Sequence, residues 1–307
     1  MDGDGKPETG REKNKRMKFG QVSDPGKIDF SLPEDHPGTR DVLKKNAKNK
    51  PLNVYVGCAK WNRTDLKNFY PRGTKDELAY YATQFNSIEL NATFYHTPGA
   101  DQIVSWRDRT PDNFRFFPKV NQMISHRKRL KDVQPMVEEY CDAISNFENK
   151  LGMVFLQVHD NFGYKNRDRL EHFVENFPKA IPLAVEMRNS EWFSDATIAN
   201  ELDTLFEKHH TTNVLVDTAG RRDLLHMRLT TPVAFIRYVG ANEPQSDRER
   251  LDDWISRLKS WVNLGLRDIY FFVHQNIEKE SPLLSAYFID QINKTFQLDL
   301  KIPETLV

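Results

Sequence analysis

The feature that most constrains this chain is a rhythm. From residue 51 onward, eight short runs of aliphatic, β-branched and aromatic residues recur, separated by longer stretches with helical amphipathic periodicity. The runs are NVYVGCA (53–59), SIELNATF (87–94), FRFFPKV (114–120), GMVFLQVH (152–159), PLAVEMR (182–188), TNVLVDT (212–218), VAFIRYV (233–239) and DIYFFVHQN (268–276). Strand alternating with helix implies parallel strands joined by right-handed crossovers. Eight such units over about 250 residues is the size of a closed (β/α)8 barrel. The sequence therefore predicts an α/β fold, a single (β/α)8 TIM-type barrel closing between the first and eighth runs. A doubly wound open sheet is the alternative. That fold usually carries a glycine-rich turn after its first strand, and GCAKWN has one glycine and no G-x-G-x-x-G.

Helix starts support the same division. TKDELAYYATQF has Thr74 and Glu77 at capping-box spacing, and SDRERLDDWISRLKSWV repeats it with Ser246 and Glu249. SPLLSAYFIDQI offers Ser281 as N-cap and Pro282 at the first helical position. VQPMVEEYCDAISNF and DATIANELDTLFEKH carry the i, i+3, i+4 apolar recurrence of one-sided packing. The segment DQIVSWRDR is a shorter candidate.

Ahead of the rhythm, residues 1–16 have no apolar side chain after Met1 and are expected to be a disordered tail. Residues 17–50 read as an N-terminal extension and linker. There IDFSLPEDHP could dock loosely through Ile28, Phe30 and Leu32, DVLKKNAKNKP reads as a linker or surface turn, and Met17 is a second possible start. The barrel is assigned to 51–300.

Lys+Arg and Asp+Glu are both 44 in the 307 residues, so the formal charge is zero. Nucleic acid is thereby not favoured as the main partner, since phosphate binding needs a concentrated basic surface. No run reaches the roughly 18 apolar residues of a membrane span, and no signal-peptide pattern opens the chain. Two cysteines, Cys58 and Cys141, form neither a disulfide framework nor a zinc pattern. A cytoplasmic protein is the expectation; oligomeric state is left open.

SIELNATFYHTP, residues 87–98, raises the functional question. Its alternation puts Ile88 and Leu90 on one face and Glu89 and Asn91 on the other. In a barrel the second face points inward, where an unpartnered carboxylate costs several kcal/mol. Most runs likewise begin apolar and turn polar toward their carboxyl ends: Lys119, then Gln157 and His159, Glu186 and Arg188, Asp217, Arg237, and finally His274 and Asn276. Barrel enzymes build their sites at that end. A buried ionic network that merely fills the barrel is the competing reading, but apolar filling would serve stability better.

The set is therefore read as a pocket. Glu89 and Glu186 would divide acid and base roles if their environments split their pKa values. Lys119 would be an electrophile or, desolvated, a Schiff-base amine. His126, in ISHRKRL beside Arg127, Lys128 and Arg129, sits where it could help bind an anion. Arg188 and Arg237 would orient an anionic group, with Asn91, Tyr95, Gln157, Asp217, His274 and Asn276 as further ligand contacts. Trp61, Phe69, Tyr70, Tyr95 and Trp192 follow strands and could wall the pocket or pack loops. Cys58 could be a nucleophile, though a small buried thiol is the commoner role. Glu186, Asp217, His159 and His274 could hold a divalent metal, but no H-x-H or H-E-x-x-H spacing supports one, and the cofactor is left unknown. The reading is an enzyme acting by acid–base chemistry on a small polar or anionic, sugar-like or phosphorylated ligand: an isomerase, lyase or hydrolase. The alternative is a non-catalytic nucleotide or nucleic-acid-end binding module, with the same basic run and with Trp61 and Tyr95 as stacking faces. Glu186 has Arg188 two residues away, so its Gln variant is expected to lose stability. Glu89 has no basic neighbour on its own run, so its Gln variant is expected to melt near-normally.

The motifs GCAKW followed by FYP, then YYATQFNSIELNATFYHTP, RTPDNFRFFPK, SHRKRL, LGMVFLQV, VEMRNSEWF and DIYFFVHQN resemble, in order, those of the domain of unknown function 72 (YecE-like) family, over about residues 53–290. The resemblance implies a TIM-type barrel and supplies no reaction. It marks Glu89, Asn91, Thr93, Phe94 and Tyr95 on the family's E-x-N-x-T-F-Y, Lys119 after the third strand, His126 on its T-H histidine, and Glu186 with Arg188 on its V-E-x-R. Three departures stand out: GCAKW for G-T-S-G-W, RYVG for R-x-H-G, and VHDNF where prolines usually follow L-Q.

Overall fold

A computed structural model describes residues 20–45 and 50–305. Every apolar run supplies a strand: β1 (Asn53–Cys58), β2 (Ser87–Leu90), β3 (Arg115–Pro118), β4 (Val154–Gln157), β5 (Leu183–Glu186), β6 (Thr212–Asp217), β7 (Val233–Gly240) and β8 (Asp268–Gln275). The helices of the described residues begin with α1 (Pro37–Lys44), α2 (Glu77–Gln84), the single turn α3 (Ala92–Tyr95) and α4 (Ala100–Asp108). They continue with α5 (Gln134–Ser145), α6 (Arg167–Asn176), α7 (Glu191–Ser194), α8 (Ala196–Lys208), α9 (Pro244–Leu264) and α10 (Ser281–Phe296).

All strand pairs are parallel. Six strands form one curled sheet in the order β1-β8-β7-β6-β5-β4, and β2 pairs with β3 separately. The first and last strands meet as expected, with Asn53 opposite Asp268 and Cys58 opposite Val273. The expectation of one eight-stranded barrel is thus met in part, by a half-barrel. β3 meets β4 at isolated bridges, Phe116 with Leu151 and Lys119 with Phe155. Between β1 and β2, side chains stand in for a ladder: Asn86 Nδ2 donates to Val54 O (2.8 Å) and Val56 N donates to Asn86 Oδ1 (2.9 Å). The Tyr81 hydroxyl accepts from Cys58 N (2.8 Å) and donates to Ser87 O (3.0 Å). Gly57 permits this approach, since a Cβ there would lie 2.2 Å from Ser87 O.

The alternation along the strands sorts side chains into two cores. Phe117, Phe155, Val216, Phe235 and Phe272 pack with Tyr55 and Tyr270 on the inner face. Residues in the opposite phase, among them Ile88, Leu90, Leu156, Val185, Leu215 and Ile236, join the layer beneath the helices. Each buried aromatic or aliphatic side chain contributes about 1.5–3 kcal/mol.

Local readings shift in instructive ways. SIELNATF is a strand only to Leu90, because the Thr93 hydroxyl reaches the carbonyls of Leu90 and Lys119 (2.9 and 2.8 Å) and the chain coils into α3. The N-cap of α2 is Asp76, which accepts from Ala79 N at 3.0 Å, and not Thr74. α9 starts earlier than its capping box, at Pro244. DVLK, within the stretch read as linker, lies in α1: Val42 and Leu43 are buried, and Thr39 is tied to Met227 O and Leu229 N. Its polar composition hid a one-sided helix. The expected disordered tail, residues 1–16, lies outside the described residues.

Candidate functional site

Above the inner aromatic layer, toward the carboxyl ends of the strands, the inward phase turns polar. Glu89 follows from β2, Lys119 from the end of β3, Gln157 from β4, Glu186 from β5, Arg237 from β7 and His274 from β8. Arg237 is the hub. Its Nε and Nη2 donate to the two oxygens of Glu89 at 2.8 and 2.9 Å, and Nη1 donates to Glu186 Oε2 at 2.6 Å. Asn91 Nδ2 donates to Glu89 Oε1 (2.9 Å), and His274 Nε2 lies 2.9 Å from Glu89 Oε2. Gln157 donates to Glu186 Oε1 (2.8 Å), while its own Oε1 accepts from Lys119 Nζ (2.9 Å) and Arg188 Nη1 (3.0 Å). Arg188 also pairs with Asp160 at 2.9 Å.

The carboxylates are not at the surface of a pocket. Glu89 and Glu186 are both 0% exposed. Burial would raise each carboxyl, but Arg237 outweighs it, aided by His274 at Glu89 and by Arg188 at Glu186. Glu89 is held well below the usual carboxylate range, and Glu186 is lowered too. Both remain ionised near neutral pH, so neither fits the role of acid. The expected split of their pKa values is replaced by a shared guanidinium. Glu89 also has the basic partner its own strand lacked, supplied from β7.

Over this layer opens a cavity of about 650 Å³, lined by Phe94, Lys119, Gln122, His126, Arg127, Arg129, Gln157, His159 and Arg188. Four of these side chains are basic, two are imidazoles, and none is a carboxylate. Lys119 sits with Nζ 4.3 Å from the centre of the Phe94 ring. Burial, reinforced by Arg237, pushes its ammonium down to about 7. His126 packs edge-on against the same ring (4.9 Å) and lies 5.4 Å from His159. Burial and then Lys119 push His126 down to about 4. His126 and Arg127 belong to a π-helical turn, Met123–Arg127, followed by Arg129 and Leu130 at φ 49° and 60°. Left-handed backbone at non-glycine residues is uncommon and clusters at functional sites, as do π-turns.

Several candidates lie elsewhere. Asp217 points to the helix side, in phase with Leu215, and not into the cavity. It is bonded by Arg222, by Arg250 Nη2 (2.7 Å) and by Trp254 Nε1 (2.7 Å). The end-of-strand rule placed it inward; the strand's own alternation with Val214 and Val216 places it outward. The four donors named for a metal therefore do not meet, and among the described residues no group of three or more His, Cys, Asp or Glu is arranged to hold one. Tyr95, thrown outward by α3, is 69% exposed. Asn276 is half-buried just past β8. Cys58 faces α10 through Ser285 Oγ (3.6 Å), and burial pushes its thiol up to about 12, which removes the nucleophile reading. Trp61 packs on Trp106, Phe69 and Tyr70 pack with Tyr80, and Trp192 is buried with its indole N–H on Phe162 O. Sequence reasoning missed Asp160 and Gln122; the π-turn that presents the basic run left no signal in periodicity.

The profile of the family described as "Protein of unknown function DUF72" matches residues 55–305. The UPF0759 protein YecE of Escherichia coli K12 is 26% identical over 263 residues, 79% of this chain and 93% of that one. The UPF0759 protein YunF of Bacillus subtilis is 30% identical over 150 residues, 46% of this chain and 52% of that one. A solved DUF72 family protein from Thermotoga maritima superposes with TM-score 0.62 at 27% identity, covering 80% of this chain and 100% of that one. A DUF72 family protein from Enterococcus faecalis gives TM-score 0.63 at 18% identity, covering 81% and 99%.

Proposed function

The chain belongs to the DUF72 family, and from the geometry at the carboxyl ends of its strands we propose that it is an enzyme holding a small phosphate- or carboxylate-bearing molecule in the basic cavity. The observation that carries this reading is the separation of charge by depth. Both carboxylates are withdrawn beneath the cavity floor and committed to Arg237. The floor and walls keep Lys119, Arg127, Arg129 and Arg188. Charge-assisted bonds from guanidinium groups to phosphate or carboxylate oxygens are the strong ones, and they need this fork-like donor set.

Acid–base work then falls to Lys119 and His126 and not to the two glutamates. An amine whose pKa lies near neutrality exists in both forms at working pH, which is the condition for efficient proton transfer. His126 is neutral there and carries one ring nitrogen not engaged by Ser125 Oγ, which bonds Nδ1 at 2.9 Å. Glu89, Glu186 and Arg237 set the potential beneath the amine.

Melting with inorganic phosphate, at constant ionic strength, tests the reading. Saturable stabilisation is expected, about 2.7 kcal/mol at 100 times the dissociation constant. Arg188→Gln should weaken it at least about tenfold, the order of one charge-assisted bond. No saturable shift in the wild-type protein overturns the proposal.

A further inference from the structure

We propose that Lys119 is a covalent nucleophile, forming an imine with small aldehydes or ketones that bear a phosphate or carboxylate group. The inference rests on the anion cavity above and names the substrate class it would take. Three features of the surroundings carry it.

First, the amine is poised but not neutralised. Its hydrogen bond among the described residues goes to Gln157 Oε1, a neutral acceptor, while Glu89 and Glu186 turn to Arg237. An ammonium locked to a carboxylate has no free lone pair; among the described residues no carboxylate is hydrogen-bonded to this one. Second, the amine lies against aromatic surface, 4.3 Å from the Phe94 ring centre and 5.9 Å from that of Phe155, at the cavity floor. Apolar walls and a neighbouring cation, here Arg237, are what turn a lysine into a nucleophile, and together they bring its pKa to about 7. Third, anchors for the anionic end, Arg127, Arg129 and Arg188, line the same cavity as the amine.

The chemistry balances without a further reagent. The neutral amine adds its lone pair to the carbonyl carbon, and the carbonyl π electrons move to oxygen, which takes a proton. A second proton, drawn from solvent, lets that oxygen leave as water and gives a protonated imine, which releases the proton on becoming neutral. The net change is amine plus carbonyl to imine plus water. His126 and His159, both lining the cavity, can carry the protons between nitrogen and oxygen.

Pyridoxal 5′-phosphate, an aldehyde bearing a phosphate, is a suitable probe with the full-length protein, followed by borohydride, which delivers hydride to the imine carbon and fixes the adduct for peptide mapping. Reduction should place the label on Lys119, with a rate half-maximal near pH 7. Inorganic phosphate should suppress it, pyridoxal lacking the phosphate should label more slowly by about tenfold or more, and Lys119→Met should abolish it. Should Lys119→Met fail to fold, pH dependence and phosphate protection in the wild-type protein decide alone. Label spread over surface lysines such as Lys128, rising through the ordinary lysine range, overturns the proposal. If phosphate stabilises the protein but Lys119 stays unlabelled, the imine fails and the anion cavity stands. If Lys119 is labelled equally with and without phosphate on the probe, the nucleophile stands and the anion cavity fails.

Discussion

Two buried ionic networks lie on opposite sides of the strand layer. The inner one joins Glu89, Glu186 and Arg237, with Gln157, Lys119 and Arg188 above. The outer one joins Asp217 and Asp247 to Arg250, with Arg222, Tyr238, Trp254 and Gln275. Their composition is alike, but their edges differ. In the outer network Asp217 is surrounded by donors, and the Phe30 ring from the N-terminal extension lies over Arg250, 4.3 Å from its guanidinium carbon. In the inner network the carboxylates are fully engaged below, and the cations continue upward into a cavity without a carboxylate. Ionic burial alone therefore does not mark a site. A surplus of one sign facing space does.

The largest expected effect breaks the inner hub. Arg237→Met leaves Glu89 and Glu186 buried without their guanidinium, a loss on the order of 3–5 kcal/mol or more. Its pH dependence should reverse. In the wild-type protein both carboxyls have folded pKa values below the unfolded 4.5, so their contribution is present above that value and is lost as pH falls through the folded ones. In the variant, burial without Arg237 raises both, so stability should increase as pH drops from neutrality toward about 5. Urea unfolding across that range gives the sign directly. A variant that loses stability with acid as the wild type does would mean that Asn91 and His274 at Glu89, and Gln157, Arg188 and Lys119 at Glu186, hold the carboxylates ionised without the hub.

Removing one carboxylate from each network comes next. Asp217→Asn takes from Arg250 the nearer of its two carboxylates and leaves it Asp247, and Glu89→Gln breaks a bidentate pair with Arg237. Each should cost about 3–5 kcal/mol, so near-normal melting is no longer expected for Glu89→Gln. Phosphate binding should separate them. Asp217→Asn leaves affinity per folded molecule unchanged, whereas Glu89→Gln raises it, because one of the two carboxylates that offset Arg237 beneath the cavity is then gone and only Glu186 remains. Equal affinities in both would erase the distinction between the networks.

How much of this was legible in the sequence depended on whether the signal was local. Strand runs repeat every few tens of residues and alternate cleanly, so all eight strands and the meeting of β1 with β8 could be read. Seams were not readable: the Asn86 and Tyr81 side chains that bridge β1 to β2 obey no periodicity. Glu89, Lys119, Gln157, Glu186, Arg237 and His274 lie together on the inner face because inward phase and strand end coincide in them. Asp217 was misplaced because strand end was weighed without phase. The partner of Glu89 was invisible because it lies 148 positions away in the chain. α1 was missed because two buried apolar side chains, Val42 and Leu43, in an otherwise polar octet carry little pattern.

A smaller effect tests the lid of the outer network. Phe30→Ala removes the ring lying over Arg250 and, at 5.7 Å, over Arg222, while the carbonyls of Phe30 and Ser31 still accept from Arg222. The loss should be about 1 kcal/mol, the scale of a partly desolvated cation–π contact, with phosphate binding unchanged. A loss of several kcal/mol would make the extension part of the core that holds the strands, and a change in phosphate affinity would couple the two networks.

The smallest expected effect on stability is the most diagnostic. Arg250→Met should cost several kcal/mol by removing the guanidinium that Asp217 and Asp247 share, leaving Asp217 to Arg222 and Trp254 and Asp247 to Tyr238 and Gln275. Lys119→Met, by contrast, should melt no lower than the wild-type protein near pH 7. It removes a buried amine with no carboxylate of its own, and the acceptor it leaves, Gln157 Oε1, is still bonded by Arg188. The pH profile makes the contrast sharp. The folded pKa of Lys119 is about 7 and the unfolded one 10.5, so between them the unfolded chain binds more protons and stability rises with pH. The difference in unfolding free energy between wild type and Lys119→Met should therefore carry a positive slope over that interval and flatten beyond it, while Arg250→Met shows no such slope. Phosphate should reduce the slope by stabilising the ammonium. A flat difference curve would place the amine in water-like surroundings, and with it would go the charge asymmetry on which the comparison of the two networks rests.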